Sequence, residues 1–165
     1  MKFKNTFLTL LVSLLAGTAG GLLGIHYVHQ NMSFVIAEGK SMNPTLADGG
    51  VFQAKPLGQI HRGDILVLKD DQGTVVVKRV VGMPNENVAI FNGNVYVNGK
   101  KLDEPYLPAG TYTKPLSGGT HLHAGNKEYL VFGDNREISY DSRAWGAVNI
   151  KDIKERIDLD SIAGK

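Results

Sequence analysis

The chain has 165 residues, enough for one domain of ordinary size, and no cysteine, which excludes a disulfide, a thiolate nucleophile and a zinc–thiolate centre. Its 18 Lys and Arg against 16 Asp and Glu leave a formal charge of +2, and Lys2 and Lys4 carry that whole excess. Beyond them the charges balance, so nothing recommends the folded part to nucleic acid.

In chain order, the first element is apolar. From Phe7 to Ile25 there is no formal charge, leucine is frequent, and the apolar stretch runs on to Val28. Such a length crosses a hydrocarbon core as a helix. A cleavable signal peptide is the competing reading, with Gly17-Thr18-Ala19 as its small-residue cleavage site. The stretch is long for that, which favours an uncleaved anchor. Positive charge stays in the cytoplasm, so residues 1–6 are expected as an inner tip, 7–28 as the anchor and 29–165 as an extracytoplasmic domain.

Beyond Asn31 short apolar runs alternate with turns: Phe34–Ile36, Ile65–Leu68, Thr74–Val81, Val88–Phe91, Val95–Val97 and Tyr129–Phe132. Asn92-Gly93 and Asn98-Gly99 are hairpin signals around Val95–Val97. Residues 104–125 read as a long loop or loosely held hairpin, and Val148–Ile157 as a short helix or a turn before a last strand. The spacing predicts a mainly β domain with a folded, barrel-like sheet after one membrane helix. The five histidines follow no metal-ligand spacing, and His121-Leu122-His123 reads as a solvated loop pair, with two imidazoles on one strand face as the alternative.

The run Val75-Val76-Val77-Lys78-Arg79-Val80-Val81 sets two cations inside a strand. Alternation puts Lys78 on the face of Val76 and Val80, and Arg79 on that of Val77 and Val81. Taken alone, the run fits a half-exposed strand with both cations in water. If both faces are covered, Arg79 keeps its proton and requires a buried carboxylate, whereas Lys78 can deprotonate and become a base.

Two further segments offer partners. Ser41-Met42-Asn43-Pro44-Thr45-Leu46 stands where strand gives way to turn, although Ser-x-x-Pro alone is a common turn. Gly133 to Gly146 is dense in charge and hydroxyls, and supplies Asp134 and Asp141 as anions and Ser139 as a neutral hydroxyl.

Together these segments resemble the bacterial type I signal peptidases, membrane-anchored serine proteases with a Ser-Lys dyad. Ser41–Leu46 resembles their nucleophile box, Arg62-Gly63-Asp64-Ile65 the second box, Lys78 to Pro84 the lysine box and Gly133–Gly146 the last. Order and spacing agree from the anchor to about Val148, in the compact form without a large inserted domain.

The resemblance implies an all-β core of coiled sheets with Ser41 as nucleophile and Lys78 as general base. Ser139 would bond the lysine amine. Arg79, turned away from Ser41, would pair with Asp134, and Asp141 with Arg143 would hold the last box. No cofactor or metal is implied. Service as a base requires the Lys78 pKa to fall from about 10.4 towards roughly 7–8, about 4 kcal/mol of differential desolvation. Gly39 stands where some members carry an oxyanion-stabilising serine, leaving that part to the Ser41 backbone N–H and a second donor that the sequence does not identify. Many members have Gly-Asp where this chain has Asn85-Glu86; Asn tolerates the left-handed backbone and Glu keeps the charge.

The implied substrates are secretory preproteins cut after small residues at −1 and −3. An extended segment would add to the strand edge of Phe34, Val35 and Ile36, with Gly39 and Met42 beside it. Met42, Phe52 and Trp145 are expected on an apolar surface against the lipid, with the core as the alternative for Phe52 and Trp145. Membrane lipid and the translocation machinery are the other implied partners. A peptidase dedicated to pilin or conjugation proteins, or an inactive module that binds signal sequences, are the alternatives. A self-cleaving Ser-Lys repressor needs a DNA-binding head where this chain has its apolar segment.

Overall fold

The computed structural model describes residues 33–158; the apolar segment 7–28 lies outside them. Among the described residues no helix is long and apolar enough to cross a membrane. The strands in chain order are β1 (Ser33–Ile36), β2 (Val51–Pro56), β3 (Ile65–Lys69), β4 (Val75–Gly82), β5 (Asn87–Phe91), β6 (Asn94–Val97), β7 (Lys100–Lys101), β8 (His121–His123) and β9 (Glu128–Phe132). A one-turn helix α1 (Ser142–Trp145) follows, then β10 (Val148–Asn149), a 3-10 turn (Ile150–Asp152) and β11 (Ile153–Ile157).

They form two antiparallel sheets, one ordered β1-β2-β11-β3-β4-β9-β10 and the other β7-β6-β5-β8. β3 is central in the first, and its unbroken apolar run fits a strand covered on both sides. Ile65 and Val67 pack with Val35, Ala54, Leu46 and Ile157; Leu66 and Leu68 pack with Val80, Val131 and Ile153. The second sheet lays Val88, Ile90, Val95 and Val97 against Val81, Leu130 and Phe132. Asn92-Gly93 and Asn98-Gly99 are the hairpin turns, with positive φ at all four residues.

Several elements differ from the sequence reading. β2 was not anticipated, because Gln53 and Lys55 interrupt its apolar pattern and Pro56 ends it. His121 and His123 lie on a strand rather than in a loop, both exposed, while Leu122 points inward. The last segment is the turn-then-strand alternative, since β11 is inserted between β2 and β3.

The barrel-like sheet stops short of closure. β4 pairs with β3 along Val75–Arg79, but with β9 only from Arg79 onward. The outer edge of Val75–Val77 is therefore unpaired, and β1 at the end of the sheet has no outer partner among the described residues. Both edges line one cleft of about 210 Å³, bounded by Val35–Gly39, Ser41 and Thr74–Lys78. The sheet thus coils until its first strand faces the start of β4 across an open seam.

Candidate active site

The turn after β1 is held by what it buries. Met42 and Leu46 insert into the core at 3% and 0% exposure, and Leu46 N–H donates to the Met42 carbonyl at 2.9 Å. Ser41, just before Met42, is left at the cleft wall. Gly39 turns the chain with φ +90°, and its N–H donates to Asp48 Oδ1 at 2.8 Å. Ser41 N–H donates to no group among the described residues.

Lys78 Nζ lies 2.9 Å from Ser41 Oγ and 3.1 Å from the Val77 carbonyl. The lysine is 3% exposed. Burial pushes its pKa below the ordinary lysine value; Asp141 and Asp70 pull it back up, and Arg143 adds to the lowering. A neutral amine hydrogen-bonded to a hydroxyl can take the hydroxyl proton.

Arg79 leaves the strand on the other face but returns to the same turn. Its Nε and Nη2 donate to the two carboxylate oxygens of Asp134 at 2.8 and 2.6 Å, and Nη1 donates to the Gly63 carbonyl at 2.8 Å. Asp134 Oδ2 also accepts from Thr45 Oγ1 at 2.5 Å, and Tyr106 stacks over the guanidinium at 4.0 Å. Arg79 is thus tied through Asp134 to Thr45, inside the nucleophile segment, rather than turned away from it. Asn135 N–H adds a second tie, to the Ser41 carbonyl at 3.0 Å.

Asp141 caps α1 and accepts from Arg143 Nε and Nη2 at 2.9 Å each, and from Gly133 N–H at 2.9 Å. Fully buried Arg143 also donates to the carbonyls of Arg136 and Ser139, which binds the segment into one unit. Ser139 Oγ is buried without a hydrogen-bond partner, so the lysine–Ser139 bond implied by the resemblance is not made here. Its hydroxyl presses on Gly133 instead. A Cβ at Gly133 would stand 2.2 Å from Ser139 Oγ and 2.5 Å from the Ser41 carbonyl.

Of the other anticipated residues, Val35, Ile36 and Gly39 line the cleft, whereas Phe34 and Met42 do not. Met42 and Phe52 pack in one core cluster and Trp145 against another, so none of the three forms an exposed apolar face. Asn85 has φ +65°, and Glu86 accepts from Met83 N–H and Arg62 at 2.7 Å each. Burial alone would raise the Glu86 pKa, but the Arg62 and Met83 hydrogen bonds and the Arg62 charge outweigh it and hold the carboxyl below its usual range.

Sequence reasoning gave Arg136 no separate role. It is 3% exposed and donates to Glu104, Thr113 and the Gly133 carbonyl, joining the last box to the 104–113 loop. Its only signal was a charged residue in a dense segment, with a partner 32 positions away.

A two-sheet β domain that sets a buried lysine 2.9 Å from a turn serine has the arrangement of a serine-nucleophile hydrolase. The family model described as "Signal peptidase, peptidase S26" matches residues 6–160, and the chain belongs to that family. It is 39% identical over 140 residues to a protein named signal peptidase I from Bacillus caldolyticus, covering 75% of this chain and 76% of the relative. Identity to signal peptidase I V of Bacillus subtilis (strain 168) is 33% over 156 residues, covering 84% and 91%. A crystal structure of a signal peptidase I from Enterococcus faecalis V583 superposes with a TM-score of 0.54 at 28% identity, covering 62% of this chain and 99% of that one.

Proposed function

We propose that this protein cleaves amino-terminal signal peptides from secretory preproteins, with Ser41 as nucleophile and Lys78 as general base. The observation that carries the reading is the 2.9 Å contact between Lys78 Nζ and Ser41 Oγ beside an open β seam. Neutral Lys78 takes the Ser41 proton as Oγ attacks the scissile carbonyl carbon. The carbonyl oxygen becomes an oxyanion within reach of the unengaged Ser41 N–H. The lysine then gives its proton to the leaving amine, and water hydrolyses the acyl-enzyme by the same proton path. When Lys78 is an ammonium it has a third hydrogen to place beyond Ser41 and Val77, and the orphan Ser139 hydroxyl is the acceptor for it.

The substrate enters as a strand between β1 and Val75–Val77, where two unpaired edges offer backbone hydrogen bonds. Val35, Ile36 and Gly39 leave room for small side chains near the scissile bond, as a −1 and −3 rule requires. Residues 7–28 anchor the enzyme in the membrane, with 1–6 inside and 29–165 outside, so that preproteins meet it at the bilayer surface. The test is full-length protein in detergent with a labelled preprotein. A single cut after a small residue, read by amino-terminal sequencing of the product, is the expected result; an uncut preprotein contradicts the reading.

A further inference from the structure

A second cavity, of about 540 Å³, begins where the cleft ends. It is bounded by Asn43 and Pro44 on one side, Asp134–Glu137 on another, and Pro108, Gly110–Tyr112 and Lys114 on a third. The two cavities share no lining residue and meet at the nucleophile turn. Gly39 and Ser41 border the first; Asn43 and Pro44 border the second. A peptide whose signal side fills the seam and whose scissile carbonyl sits at Ser41 therefore continues towards this groove.

The groove is built in advance of any ligand. Its outer wall is fixed to the charged core that also holds the nucleophile turn: Arg136 donates to Glu104 and Thr113, and Tyr106 stacks on Arg79. Thr113 N–H donates to the Gly93 carbonyl at 3.0 Å. Tyr112 packs its ring against Gly93, where a Cβ would come within 2.3 Å of the ring, yet it remains 58% exposed. A large aromatic ring is thus seated on the backbone at Gly93 with more than half of its surface open to solvent. Arg136 and Asp134 in the lining are neutralised by their own partners, whereas the exposed side chains of Glu137 and Lys114 have no ion-pair partner among the described residues. The wall therefore presents an aromatic platform flanked by two uncompensated charges of opposite sign.

We propose that this groove binds the first residues of the mature protein, on the carboxyl side of the scissile bond. Glu137, Lys114 and Tyr112 then act as specificity residues for that segment. The proposal rests on the peptidase reading above. Glu137, adjacent to Arg136, favours a basic side chain and Lys114 an acidic one, while Tyr112 provides apolar contact whatever the sequence.

The test uses the full-length enzyme in detergent and preproteins that differ only at positions +2 to +4, carrying Lys, Glu or Ala. Glu137→Lys is expected to change the kcat/KM ratio between Lys and Glu substrates by at least about fivefold towards Glu, more at low ionic strength than at high. Tyr112→Ala is expected to raise KM across the panel, with the preference for alanine at −1 retained. Unchanged ratios in Glu137→Lys, with wild-type cleavage intact, overturn the groove assignment alone. Failure of the wild type to cut any panel member overturns the peptidase reading on which it rests.

Discussion

Arg79 holds Asp134 in a two-pronged contact of 2.8 and 2.6 Å, one strand position from the lysine that meets Ser41. Neither partner is more than 5% exposed. The pair fixes the nucleophile turn through Thr45. Arg79→Ala leaves Asp134 buried and unpaired and is expected to cost about 3–5 kcal/mol. Urea unfolding checks this, and a midpoint equal to the parent's contradicts it. Replacing both residues by apolar ones of similar volume should recover part of that loss.

The pH dependence follows from Lys78. Its folded pKa lies below the unfolded lysine value, so between the two the unfolded chain binds more protons. Stability therefore rises with pH through that window, and the burial penalty is fully present below the folded pKa. Activity should rise with pH on an acid limb below the ordinary lysine value of about 10.4. Lys78→Met should abolish activity, flatten the stability slope in that window and leave the domain at least as stable at neutral pH. A Lys78→Met domain clearly less stable than the parent at neutral pH contradicts this.

Ser139 makes an unusual contrast. Its buried hydroxyl has no partner to lose, so Ser139→Ala is expected to be neutral or slightly stabilising. If the hydroxyl receives the ammonium during turnover, kcat should fall by about 10–100-fold, the worth of a hydrogen bond to a charged group. A full-strength kcat removes Ser139 from the mechanism.

Gly133→Ala should be far more harmful than an ordinary Gly-to-Ala change. Its methyl group has no room between Ser139 Oγ and the Ser41 carbonyl, and the latter is backbone. Loss of activity together with a lowered melting temperature is expected; a fully active variant contradicts the packing described.

Much of this was readable from side-chain type and period. The strands made of clustered β-branched and aromatic residues stand where their patterns put them, because burial on one or both faces selects those patterns. Asn85 likewise announces its left-handed backbone by residue type. β2 and β8 were missed because short, polar strands owe their existence to neighbours far away in sequence. The reach of Arg79 back to the nucleophile turn escaped for a related reason: alternation fixes which face a side chain leaves by, not where a long side chain ends. Arg136 is the same case, since its partners Glu104 and Thr113 lie in a loop with no regular pattern.

The central claim is that Ser41 and Lys78 perform the cleavage together. The most direct measurement is kcat/KM for a labelled preprotein with the wild type, Ser41→Ala and Lys78→Ala, each confirmed folded by circular dichroism. Both variants should fall by about 10⁴-fold or more, and to similar levels, because residues that act as one unit are not additive. Cleavage at the parental rate by either folded variant would contradict the account.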